Sequence, residues 1–200
     1  MSSNDSGKNI HNAFAVVYET YKSVEKLISK CQNELDESKY YMPVKRFLRY
    51  SSDRSWEGWI YWSFILLYQR HEDGQIMKNN WINGPVYVVE INLDADTCEE
   101  PELIVAKFDF GDISDWSEGC SPSSHSIFYN PIHEVRFFDS TEDGEYEIVF
   151  PKVGYEERVE TGYWGLKKLV CCSIPLVEVN KSNYQEKIFG TIEKLSKFQL

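Results

Sequence analysis

Trp59-Ile60-Tyr61-Trp62-Ser63-Phe64-Ile65-Leu66-Leu67-Tyr68 is the longest apolar stretch of the chain, and its reading decides the fold. Ile60, Trp62, Phe64 and Leu66 form one alternate set, and Trp59, Tyr61, Ile65 and Leu67 the other. Both sets are apolar, the pattern of a strand buried on two faces. Its aromatic and β-branched content also favours a strand. A buried helix stays open as an alternative, because periodicity does not discriminate when nearly every position is apolar. His71-Glu72-Asp73-Gly74 closes the run with a turn.

Working outward, further strands are expected at Pro85 to Leu93, Leu103 to Phe110, Val135 to Phe138, Glu145 to Phe150 and Leu169 to Val179. Asp139 to Gly144 reads as the loop of a hairpin. On the N-terminal side, Ile10, Phe14, Val17, Tyr21, Val24, Ile28, Cys31 and Leu35 recur at alternating steps of four and three. That heptad spacing predicts a long helix over 10–37 that lies along another helix. It ends before Pro43, which pushes the preceding residue out of the helical region. Ser182 and Gln185 have capping-box spacing and open a closing helix to Phe198. The expected fold is α+β. A largely antiparallel sheet of about five to six strands is flanked by the long N-terminal helix and a C-terminal helix, packed on one face. The 200 residues are expected to form one domain, 1–200, with residues 1–9 flexible.

Charge narrows the partners. The formal net charge of −11 disfavours nucleic acid, whose recognition needs clustered Lys and Arg, and anionic membrane surfaces. The basic run Lys45, Arg46, Arg49 and Arg54 interrupts this acidity. No apolar run is long enough for a bilayer, and residues 1–9 are too polar for a signal peptide. Five cysteines, an odd number with no C-x-x-C, suggest neither a disulfide framework nor a zinc site. Reduced thiols in the cytoplasm and no cofactor are expected.

The side chains with chemical potential are scattered. Asp94, Asp96 and Glu99 follow a strand and offer oxygen ligands for Ca²⁺ or Mg²⁺, without EF-hand spacing. Glu90, Glu102 and Lys107 are the residue types of a metal-dependent nuclease. Cys120 and His125 could pair as thiolate and imidazole. Gly154, Gly162 and Gly165 are too loosely spaced for a phosphate loop. Aromatic residues make up 15% of the chain, enough to line a surface as well as fill a core. Trp59, Tyr61, Trp62, Tyr68, Trp81 and Trp164 are therefore the expected ligand-binding set. Phe14, Val17, Tyr21, Val24 and Ile28 are the expected interface.

The resulting expectation is a non-enzymatic binding or regulatory protein. It uses an aromatic sheet face or pocket for a small-molecule ligand or protein partner, and the helical seam for a homodimer. The alternative is a small metal-assisted hydrolase or nuclease built on loop carboxylates.

Overall fold

The structure is a computed structural model that describes residues 3–199. The chain divides into two compact units, Met1–Glu37 and Ser38–Leu200. The first unit is carried by one helix, α1 (Ser3–Asn33). Of the stretch predicted to be flexible, residues 3–9 are helical, and residues 1 and 2 lie outside the described residues. Asp5 in the first turn meets the positive end of the helix dipole. The seam residues Phe14, Val17, Tyr21, Val24 and Ile28 form one stripe along α1. Lys22 pairs with Glu19 at 2.7 Å and Lys30 with Glu34 at 2.8 Å. These two exposed contacts each add only a few tenths of a kcal/mol.

The second unit is built on an antiparallel sheet. Its strands are β1 (Tyr40–Tyr41), β2 (Ser63–Arg70), β3 (Val86–Asn92), β4 (Glu102–Asp109), β5 (Phe138–Asp143), β6 (Tyr146–Pro151) and β7 (Lys168–Pro175). Among the described residues these seven strands are ordered β1-β2-β3-β4-β7-β6-β5. The fold is thus α+β, with one strand more than the upper bound of the sequence reading. All eight residues of β2 are buried, as its two apolar sets require. The strand starts only at Ser63, however. Residues 56–58 form a 3₁₀ turn, which puts Trp59, Tyr61 and Trp62 ahead of the strand.

Register sorts the sheet into two faces. Ile65 lies opposite Glu90, Glu90 opposite Ile104, and Ile104 opposite Ser173. Alternation puts Ser63, Ile65 and Leu67 on this face, with Val86, Val88 and Glu90, Ala106 and Phe108, and Leu169 and Cys171. Its core is completed by Phe110, Ile113, Phe128, Tyr129, Tyr163 and Leu166. Helix α2 (His125–His133) supplies Phe128 and Tyr129, and the short α3 (Glu156–Gly162) supplies Val159. Neither helix is read from the sequence.

The opposite face carries the closing helix, in which a π-helical turn at Glu186–Gly190 runs into α4 (Thr191–Ser196). Phe189 packs on Tyr68 at 5.5 Å between ring centroids. Lys107 Nζ donates to the carbonyls of Ser196 and Phe198, the latter at 2.7 Å. The cap of this segment lies two residues earlier than expected. Asn180 Oδ1 accepts from Ser182 N–H at 2.9 Å, and Asn183 Oδ1 accepts from Asn180 N–H at 2.8 Å. That reciprocal pair does what the predicted Ser182–Gln185 box would have done.

Candidate functional site

Two constellations form on the α2 side of the sheet, one polar and buried, the other aromatic and open. The polar one begins with α2. Ser121 Oγ accepts from Ser123 N–H and Pro122 occupies the first turn, so the chain enters a helix after a capped turn. Pro131 lies near its end, where it stops further growth. In between, His125, Tyr129 and His133 recur every fourth residue and share one face. Their rings stack in sequence, at 5.0 Å for His125–Tyr129 and 4.2 Å for Tyr129–His133.

This face meets three polar groups beneath it. Ser63 Oγ donates to Glu90 Oε1 at 2.7 Å, and His125 Nε2 lies 2.9 Å from the same hydroxyl. His133 Nε2 lies 3.0 Å from Glu90 Oε2, and Tyr129 OH donates to Asp94 Oδ2 at 3.0 Å. Glu90 is fully buried, and Ser63 and His125 nearly so. Burial, then the neighbouring His133, pushes the His125 imidazole down to about 4, so it is neutral near pH 7. The proton order follows. Ser63 spends its only O–H on Glu90, so His125 must present its Nε2–H to Ser63.

A nucleophilic serine needs the reverse arrangement, with an imidazole accepting its proton and a carboxylate behind the imidazole. Here the serine stands between histidine and carboxylate, and its hydroxyl is out of reach of solvent. The network satisfies a buried carboxylate and fastens α2 to the sheet.

The aromatic constellation is a pocket of about 920 Å³, within the upper range for ligand sites. Phe110, Trp116 and Trp164 contribute its rings, and Lys45, Arg46, Asp112, Asp115, Glu118 and Glu160 its charges. Trp116 and Trp164 meet at 4.7 Å between centroids with planes 64° apart. Behind them, Phe110 packs on Trp116 at 4.7 Å and Phe128 of α2 on Trp164 at 5.9 Å.

The loop bearing Trp116 is clamped from one side. Asn79 Nδ2 donates to the carbonyls of Ile113 and Trp116, each at 3.0 Å, and Asn80 Nδ2 donates to Glu118 Oε1. Trp81 Nε1 donates to Ser117 O at 3.0 Å. Trp164 is held differently. It follows α3 with φ +54°, and Gly165 continues at +73°. A bulky side chain in the left-handed region costs of order 1–2 kcal/mol, which glycine at the next position avoids. The opposite wall, Pro43 to Arg46, is placed by the backbone bridge of Leu48 to Ile65 and by Arg49 N–H bonded to Pro122 O.

The structure brings together few of the residues expected to share a site. Of the aromatic set, Trp164 lines the pocket and Trp81 supports it from full burial. Trp62 packs against His125 and Tyr129. Tyr68 is buried on the opposite sheet face, Tyr61 stacks beneath the Arg49 guanidinium at 5.0 Å, and Trp59 is 72% exposed. Asp94 is engaged by Tyr129 and by the N–H of Asp96, while Asp96 and Glu99 point to solvent. Among the described residues, no group of three or more His, Cys, Asp or Glu is placed to hold a metal ion. Glu90 and Lys107 lie on opposite faces of the sheet. Cys120 and His125 do not pair: burial raises the Cys120 thiol to about 11, and His125 serves Ser63.

A smaller pocket, of about 470 Å³, has His133 in its lining, with Glu102, Glu142, Glu145, Glu147, Cys171 and Cys172. Burial raises the Glu102 carboxyl and lifts the Cys172 thiol to about 11. Burial also raises the Cys171 thiol, so neither cysteine is a ready thiolate.

Sequence reasoning missed Trp116, Asn79 and Asn80, and the network of Ser63, Glu90 and His133. The regular His125-x₃-Tyr129-x₃-His133 spacing was the signal available for the network. No family model matches the chain, and comparison with curated proteins and with solved structures returns no match.

Proposed function

We propose that the chain is a non-enzymatic binding protein whose recognition element is the Trp116–Trp164 pocket. The observation that carries this reading is the way the two rings are held. Trp116 sits on a loop fixed by donors from three consecutive residues, Asn79, Asn80 and Trp81. Trp164 is kept at a backbone angle unfavourable to its side chain. Rigid placement of large rings at an opening lowers the entropic cost of binding, and retained strain is a feature of ligand clamps. The buried network supports a non-catalytic reading, since its serine is neither activated nor accessible.

The N-terminal part of the α1 seam is the second part of the proposal, since Val24 and Ile28 further along it are already buried. Ile10, Phe14 and Val17 are exposed apolar residues at heptad spacing, which suits pairing with the same helix of a second copy.

A fragment library screened by thermal shift tests the pocket, because a ligand of the native state raises the melting temperature by mass action. Hits are expected with the wild-type chain and are expected to vanish in Trp164→Gly. Hits that persist unchanged in that variant contradict the proposal. For the seam, light scattering at micromolar concentration is expected to show a dimer that Phe14→Asp with Val17→Asp converts to monomer.

A further inference from the structure

We infer that the pocket takes an organic cation, an ammonium or guanidinium group seated at the corner formed by Trp116 and Trp164. This rests on the pocket being a binding site and names the chemistry of its ligand.

Three observations converge. First, tryptophan is the side chain whose ring attracts cations most strongly, and two of them line this pocket within 4.7 Å of each other. Second, the loop that carries Trp116 also carries Asp112, Asp115 and Glu118. Two of these carboxylates are hydrogen-bonded by neutral donors. Asp112 accepts from the Ser114 N–H at 2.9 Å, and that bond holds its carboxyl below the usual range. Glu118 accepts from the Asn80 amide. Glu160 is paired with Lys167 at 3.0 Å. Third, the surrounding field is negative, with a formal charge of −11 for the chain, which concentrates cations at its clefts. Lys45 and Arg46 are the opposing charges. They stand on a separate segment from the Trp116 loop, so an anionic group on the same ligand would meet them while its cation meets the tryptophans.

The test uses the full chain and follows the indole N–H resonances of Trp116 and Trp164 during titration. The probes are choline, its uncharged isostere 3,3-dimethylbutan-1-ol, and N-acetyl-L-arginine amide. Choline or the arginine derivative is expected to move both resonances at least about tenfold more tightly than the isostere, with affinity falling as salt is added. Which of the two cations binds more tightly separates a free quaternary ammonium from a guanidinium side chain as the source. Asp115→Asn with Glu118→Gln keeps shape and amide contacts, and is expected to weaken the cation about fivefold or more. Lys45→Gln with Arg46→Gln is expected to strengthen it. If the isostere binds as well as choline, the cation inference fails and the pocket reading stands. If no probe and no library fragment moves either resonance, both fail.

Discussion

The buried network and the open pocket use residue types in the reverse of their usual sense. Serine, histidine and glutamate, the vocabulary of hydrolysis, are here a brace under α2, shut away from solvent. Tryptophan, which normally fills a core, stands here at the mouth of a pocket. What decides each role is the order of donors and the access of water. One helix serves both regions, since α2 is fastened by His125 and His133 and carries Phe128 against Trp164.

If the network is a brace, breaking it costs stability first. His133→Ala removes one of the donors to the fully buried Glu90. It is expected to cost about 3–5 kcal/mol in urea denaturation, the usual consequence of stranding a buried charge. A loss below about 1 kcal/mol would mean that the carboxylate is not held as described.

The pH dependence comes next in size. His125 titrates at about 4 in the folded chain and near 6.5 when unfolded. Between those values the unfolded state binds the extra proton. The contribution is therefore present above pH 6.5 and lost as pH falls toward 4, up to about 3 kcal/mol in all. His125→Asn is expected to flatten that part of the stability–pH curve relative to wild type.

On the pocket side, Asn79→Ala removes donors to a loop rather than to a core group. About 1–2 kcal/mol of stability is expected to go, together with faster amide exchange at Ser114 to Ser117. The smallest stability effect is expected for Trp164→Gly. Losing the ring is offset in part by relief at φ +54°, so the net change should stay within about 1 kcal/mol while ligand binding disappears. A large destabilisation would mark Trp164 as ordinary core.

Much of the fold was legible because the central strands obey simple patterning. β2, β3 and β4 are apolar on both faces and bounded by turn residues, and each was found to within a few residues. The edge of the sheet was not. β5 is Phe138-Asp-Ser-Thr-Glu-Asp143, exposed after its first residue. An edge strand with solvent on its polar side chains looks like a loop. The hairpin turn is correspondingly tighter than read, since Asp143 already pairs with Tyr146. Helix α2 was hidden by Ser-Pro-Ser-Ser at its entrance and by Pro131 inside it.

The candidate site was less legible than the fold. Trp164 could be suspected from its place between two glycines. That Trp116 joins it, and that Asn79 and Asn80 hold the loop, depends on contacts between segments about 35 residues apart. Periodicity carries no trace of such contacts.

The most direct test of the division between brace and pocket uses 5-fluorotryptophan and ¹⁹F NMR with a fragment library. Trp62 reports on the network, against His125 and Tyr129, while Trp116 and Trp164 report on the pocket. Fragments are expected to shift the Trp116 and Trp164 resonances and leave Trp62 unmoved. Fragments that shift Trp62 and spare the other two would contradict the account and return the buried histidines to candidacy as the functional centre.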